Sequence, residues 1–482
     1  MISLPKYLVF GRINRLTDDF LFVIIDLSLK YMEKEVIFME RFSKKNWFLL
    51  LLFGTIGQIA WSVENMFFNA FVYDQVAPDL NTVTLMVQLS GVAATVVTLV
   101  AGTLSDKLGN RRSFISIGYA IWGVTVALFG CLSRENIAYV LGRPEAEVIG
   151  TALILVVVAD CVMTLFGSTA NDAAFNAWVT DNTKPSYRGR VESILSILPL
   201  VALLIVAGGI GILKDSFGYQ NVFIGLGVVI SICGVAGIFL FKDAPTIERS
   251  GGFRDIIYGF RPSVVKANLP FYATLLSVAI FGITFQIFMP YLIIFMNKYL
   301  LFSDLEYSAV FAIAILAGAG VNIYLGKLSD KMQKSKLLYF AAVITSVGLL
   351  GMYFASMIDK ENKLPLMLLF GLGGFVMICG NIFSSALNGS IMRDHTPEGA
   401  AGKMQGVRMV ASVLIPMIVG PAIGNAINTA QGIVLEDAGV DAATTRFVPA
   451  PEIFLAGAIA VLLALLVVPL IQKAEKKGEN KR

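Results

Sequence analysis

Apolar residues run in long stretches between short polar segments, and this pattern repeats from about residue 47 to residue 472. A helix needs about 20 apolar residues to cross a hydrocarbon core, and only structures that satisfy their own backbone polar groups persist there. The pattern therefore predicts an all-α membrane protein with twelve transmembrane helices, near 47–73, 82–105, 113–132, 149–179, 191–213, 220–241, 268–298, 307–327, 337–357, 364–391, 404–428 and 452–472. Residues 1–45 form an N-terminal extension of mixed charge with one amphipathic stretch, Phe20 to Phe38. It is expected to be an interfacial helix or a segment upstream of a natural start at Met39. Charges interrupt it, so it does not read as a cleavable signal peptide.

The twelve spans divide into two related sets. GTLSDKLGNRRS from Gly102 follows the second span, and GKLSDKMQKSKL from Gly326 follows the eighth, 224 residues later. Asp181, Thr183, Gly189, Arg190 and Glu192 are echoed by Asp394, Thr396, Gly402, Lys403 and Gln405 at a constant offset of 213. Duplication of this kind is common in secondary transporters. The expected organisation is two six-helix pseudo-symmetric bundles, residues 46–241 and 268–473, joined by a linker at 242–267 and followed by a basic tail at 474–482.

Charge orients the bundles. The five loops on the side of the duplicated turn carry eighteen Lys or Arg, and the opposite loops carry seven: Arg134, Arg143, Lys214, Lys298, Lys360, Lys363 and Arg446. Basic loops stay in the cytoplasm, so both termini and the duplicated turn are expected there, in a multi-pass plasma (inner) membrane protein. Composition agrees with that class: 56% of residues are hydrophobic and 15% charged, against about 25% charged in soluble domains. The net charge of +4 follows from the loop asymmetry and gives no reason to expect nucleic acid. With one histidine and four scattered cysteines, neither a histidine-based catalytic site nor a metal cluster is expected, and no G-x-x-x-x-G-K-[ST] signature points to ATP.

Polar groups inside spans are costly and mark cavities or partners. The first span carries Glu64 and Asn65 in a polar stripe with Gln58, Ser62 and Asn69; the fourth carries Asp160, Ser168, Asn171 and Asp172. Asp160 and Asn171, eleven residues apart, would share one face of an α-helix. The tenth carries Asn381, Ser384, Ser385 and Asn388, and the 213 offset pairs Asn171 with Ser384. Glu64 aligns with Gln286 of the seventh span and Asp160 with Gly373, so the first half holds the acids and the second half neutral counterparts. Glu64 and Asp160 are expected at similar depth, sharing a proton or a cation. Interhelical hydrogen bonding is the alternative role for each amide and hydroxyl.

Three residues of the first turn have roles readable from their chemistry. Gly102 is expected to let the second span approach a neighbour closely, Gly109 to permit a tight reversal, and Asp106 to face the positive N-terminus of another helix. Gly102–Arg112 resembles the signature turn of the major facilitator superfamily, whose fold of two six-helix bundles matches the organisation read above. Asn110 stands where that family usually has a base. The resemblance implies a gating network of Asp106 with Lys107, Arg111, Arg112 and Arg188, with Asp330 as its counterpart in the second copy. It places the partner of Asp106 near Gly402, and the substrate path along spans 1, 4, 7 and 10.

SVENMFFNAFVYD in the first span, FGSTANDAAFNAWVTD in the fourth and the following Arg188-Gly189-Arg190 are similar to the glycoside–pentoside–hexuronide:cation symporters and sucrose-type carriers. The expected function is secondary transport of a small polar solute, a sugar or glycoside, coupled to protons or another cation such as Na+, with no further cofactor, no obligate protein partner and no enzymatic activity. Absence of carboxylates in the second span weighs against Na+. A proton-coupled exporter of drugs or metabolites is the alternative, and a membrane enzyme or sensor acting on lipids is a third. Phe67, Phe68, Trp61 and Tyr291 are candidate stacking surfaces for the solute.

Overall fold

A computed structural model describes residues 43–183, 188–243, 257–329, 332–396, 404–433 and 447–479. The described residues are almost entirely helical and contain no β-strand. Eleven helices are long and apolar enough to cross a membrane. One of them, Ile194–Leu240, has 47 residues, about 70 Å of helix and roughly twice a bilayer core. It breaks at Gly218, whose φ of 77° and ψ of 163° are not helical, so the described residues provide twelve segments long enough to cross a membrane.

The crossings are span 1 (Lys44–Val76), span 2 (Leu80–Leu108), span 3 (Arg111–Phe129), span 4 (Glu145–Asn182), and spans 5 and 6 on either side of Gly218 within Arg188–Leu240. In the second half they are span 7 (Leu269–Tyr299), span 8 (Asp304–Ser329), span 9 (Lys334–Ala355), span 10 (Lys363–Asp394), span 11 (Gln405–Gln431) and span 12, which begins at Glu452. All twelve fall where hydropathy puts them. The N-terminal extension, Gly402 and Asp330 lie outside the described residues.

Small residues set the closest helix contacts, as expected where lipid offers no hydrophobic drive between helices. A Cβ on Gly123 would lie 2.3 Å from the carbonyl oxygen of Gly227, pinning span 3 to span 6. A Cβ on Gly424 would lie 2.2 Å from the carbonyl of Ile287, pinning span 11 to span 7. Gly102 differs from its expected role: its Cβ would meet only Ala173, at 3.9 Å, an ordinary contact. Its neighbour there is already small.

The expected α-periodicity breaks in several spans. Spans 1, 4, 5, 7 and 11 each contain π-helical segments, among them Glu64–Phe68, Ser168–Phe175 and Phe295–Tyr299, and span 7 has a 3-10 turn, Met289–Tyr291, at Pro290. A π-turn inserts a residue and rotates everything beyond it, and such bulges recur at functional sites.

The described polar bridges between the halves lie at the end opposite the Gly102–Arg112 turn, here called the far end. Thr84 and Tyr291 meet hydroxyl to hydroxyl at 2.6 Å, Tyr73 donates to the Phe447 carbonyl at 3.1 Å, and Asn425 donates to Asn81 at 2.8 Å. At the turn end each half holds one end of the linker. Trp178 donates to the Lys242 carbonyl at 2.9 Å, whereas Tyr272 bonds to Gly259 and Val264 packs with Met404 and Val407 of the second half.

Candidate functional site: a buried acid cluster and a charged turn

Span 1 is α-helical up to Val63 and widens to π at Glu64. Glu64 is buried at 6% exposure, and its Oε1 accepts hydrogen bonds from Ser90 Oγ of span 2 at 3.0 Å and Thr164 Oγ1 of span 4 at 3.1 Å. Those two hydroxyls are 2.8 Å apart. Asp160, one turn before Thr164 and 1% exposed, is the acidic neighbour of Glu64 and lies within reach of the same Ser90. One oxygen on each acid, Glu64 Oε2 and Asp160 Oδ1, is buried without a hydrogen-bond partner. None of the described ion pairs involves either acid. Two carboxylates in such a setting cannot both remain charged unless a proton or cation offsets them.

The two acids singled out from sequence are neighbours, and Glu64 is held by two hydroxyls, Ser90 and Thr164, that sequence reading missed. No residue-type signal separates Ser90 and Thr164 from Thr84, Thr95 or Thr169, which bond to their own helix backbone. Asn171 does not join Asp160, because the π-turn from Ser168 changes the helix phase between them. Its Oδ1 accepts from Tyr119 at 2.9 Å and its Nδ2 donates to Asp172 at 3.0 Å, while Ser168 donates to the other oxygen of Asp172 at 3.1 Å. A Cβ on Gly57 of span 1 would sit 2.4 Å from Asn171 Oδ1, so spans 1, 3 and 4 close around this amide.

Other candidates are placed differently. Asn65 donates to the Trp61 carbonyl at 2.7 Å and Asn69 to the Asn65 carbonyl at 2.9 Å. Gln286 packs where span 7 meets Gly420 of span 11. On span 10, Ser384 donates to the Asn381 carbonyl at 2.8 Å, and Asn388 is buried with its Oδ1 unpartnered. Among the described hydrogen bonds none joins the first-half acids to the span-10 stripe. Three proposed stacking surfaces are consumed by packing: Phe67, Phe68 and Tyr291 are at most 1% exposed, and Phe68 stacks on Phe129 at 4.0 Å. Trp61 is only half-buried.

At the turn, Gly109 adopts φ 63° and caps span 2 in the left-handed conformation, as its type suggests. Arg111 is buried at 4% exposure and organises the corner. Its guanidinium pairs with Asp106, reaches Asp181 of span 4 at 3.0 Å and donates to Ser105 at 2.6 Å. Asp243 of the linker accepts from the backbone N–H groups of Arg111 and Arg112 at 2.8 and 2.9 Å, placing an anion at the N-terminus of span 3. Asn110 is the N-cap of that span, accepting from the Ser113 N–H at 3.0 Å. Its departure from a base therefore has a positive structural reason. Asp181 and Asp243 were not among the expected gating residues. The side chain of Arg188 lies outside the described residues.

The two-bundle membrane fold and the family match together define a carrier of small solutes. The chain belongs to the Major Facilitator Superfamily, whose family model matches residues 50–421. The fold is similar to the crystal structure of the nucleoside transporter NupG, solved as a point mutant, at TM-score 0.65 and 11% identity over 88% of this chain and 98% of that one. It is also similar to a bacterial homologue of the human lysosomal transporter Spinster, inward-facing and unoccupied, at TM-score 0.64 and 14% identity over 89% and 98%. No curated protein sequence matches.

Proposed function

We propose that this protein is a cation-coupled secondary transporter of a small polar solute, a sugar or glycoside, working by alternating access of its two halves. The observation that carries the coupling is the pair of buried acids Glu64 and Asp160, each holding an unpartnered oxygen, with Glu64 held by Ser90 and Thr164. A proton or a monovalent cation bound there offsets charge that no base among the described residues offsets. In this reading Asp172, positioned by Asn171 and Ser168, and Asn388 offer hydrogen bonds to the solute, and Trp61 an aromatic surface.

The Lys and Arg bias supports a cytoplasmic position for the Gly102–Arg112 turn and both termini, in a plasma or inner membrane. With the far end bridged across the halves, the described conformation is closed to the outside. The Asp106–Arg111–Asp181 corner then lies at the cytoplasmic gate. The test is uptake of radiolabelled sugars, glycosides and nucleosides into proteoliposomes under an imposed pH or sodium gradient. Accumulation that follows one gradient supports the reading. Efflux of apolar dyes with no uptake of any polyhydroxylated solute would replace it with the exporter reading.

A further inference from the structure

A cavity of about 410 Å³ opens on the first half alone, between the start of span 3, the end of span 6 and Asp243 of the linker. That is within the range of about 300–1,000 Å³ usual for small-ligand sites. Spans 3 and 6 close tightly beneath it. A Cβ on Gly234 would lie 2.2 Å from the Ala120 nitrogen, and one on Gly237 would lie 2.9 Å from Ser116 Oγ.

Its polar lining is unsatisfied within the protein. Ser116 is fully buried, and its Oγ has no hydrogen-bond partner among the described residues. A buried hydroxyl left in that state is costly, and a ligand in the cavity would relieve it. Arg112 lines the same cavity and is exposed, and its guanidinium enters none of the described ion pairs. Asp243 spends Oδ1 on the backbone N–H groups of Arg111 and Arg112, which leaves Oδ2 free to accept. The N–H groups at the start of span 3 are thus already served by Asp243 and by the Asn110 cap. An incoming anion would go to Arg112 and the hydroxyls, and an incoming cation to Asp243. One base, one acid and a buried hydroxyl together suit a zwitterion.

The mouth of the cavity is apolar. Ile117 and Ile238 line it at 53% and 37% exposure, and Val124 and Val235 continue the outward strip along spans 3 and 6. Outward apolar side chains of a span meet acyl chains. A soluble zwitterion would leave that strip unused, whereas a lipid engages both the strip and the polar floor.

We propose that this cavity is a headgroup site for an aminophospholipid of the phosphatidylethanolamine class. Its phosphate meets Arg112 and the hydroxyls of Ser113 and Ser116, its ammonium donates to Asp243, and its acyl chains follow Ile117 and Ile238. A choline headgroup has no N–H to donate to Asp243, and a glycerol headgroup brings no cation. The site does not rest on the transport reading, and its test needs no solute.

The test is native mass spectrometry of the purified full chain in detergent. It is titrated with phosphatidylethanolamine, phosphatidylcholine and phosphatidylglycerol of identical acyl chains, and separately with free phosphoethanolamine. The parent is expected to hold one phosphatidylethanolamine more tightly than either other lipid. Arg112→Gln and Ser116→Ala should each weaken it about tenfold, the effect of losing one hydrogen bond to a charged group. Asp243→Asn keeps an oxygen for the span-3 N–H groups and should lower phosphatidylethanolamine to the level of phosphatidylcholine. Equal affinity of the parent for all three lipids overturns the proposal. So does parental binding in both Arg112→Gln and Ser116→Ala, which carry the test alone should Asp243→Asn not fold. Free phosphoethanolamine binding as tightly as the lipid would overturn the lipid assignment in favour of a soluble zwitterion.

Discussion

The hydroxyls of Thr84 and Tyr291 meet at 2.6 Å across the boundary between the two six-span halves, and Tyr291 bonds in addition to the Pro421 carbonyl at 2.9 Å. Tyr291 ends the 3-10 turn that interrupts span 7, so one buried hydroxyl ties spans 2, 7 and 11 together at a break in helical geometry. Tyr291→Phe removes both contacts while keeping the ring's volume. It is expected to cost about 1–3 kcal/mol of stability, the usual effect of leaving buried polar groups unpaired. Thermal unfolding of the purified protein measures this, and no change in midpoint would mean the hydroxyl is dispensable.

Glu64→Gln and Asp160→Asn each remove a charge from a cluster that no described base balances. Accumulation of solute against a gradient should be lost in both, while exchange of solute down its own gradient persists in part. Uptake and counterflow in the same proteoliposomes separate the two behaviours. Wild-type accumulation in both variants would falsify the coupling role.

Ser90 donates to Glu64 and sits within reach of Asp160. Ser90→Ala should weaken coupling more than Thr95→Ala, because Thr95 bonds only to the Gly91 carbonyl of its own helix. The readout is the ratio of solute accumulated with and without the driving gradient. Equal ratios in the two variants would reduce Ser90 to a packing residue.

Arg111 serves three side chains at once with a planar fork, which a lysine cannot reproduce. Arg111→Lys is therefore expected to lose several degrees of thermal stability despite conserving charge. Asp106→Asn should slow turnover with little change in solute affinity. A normal turnover number in Asp106→Asn would remove it from the gate.

Asn110 gives a sharper test of the same corner. Replacing it with Arg deletes the cap on span 3 and should cost about 1 kcal/mol. Asn110→Asp should keep the cap and the melting temperature. An Arg variant as stable as the parent would show that the cap contributes nothing.

Packing offers an internal control. Gly227→Ala drives a methyl into the Gly123 carbonyl, whereas a Cβ on Gly225 meets nothing within 4 Å. The first substitution should lower the melting temperature markedly and the second leave it unchanged.

The sequence by itself determined the twelve crossings, their division into halves and the two buried acids. Each follows from a cost that residue type alone reveals: apolar runs of bilayer length, a repeated charged turn, and carboxylates placed where lipid penalises them. It did not determine what the acids touch. Glu64 is held by Ser90 and Thr164, whose residue types are common in spans and bond locally elsewhere. Asn171 parts from Asp160 because a π-turn changes the helix phase, and hydrophobic periodicity does not register that insertion. Lys214 and Lys298 read as two of the few bases on the minority side, and only tertiary packing sets each against an acid of the opposite half. Local chemistry is written residue by residue, but the pairing of groups from different helices depends on how those helices rotate and cross.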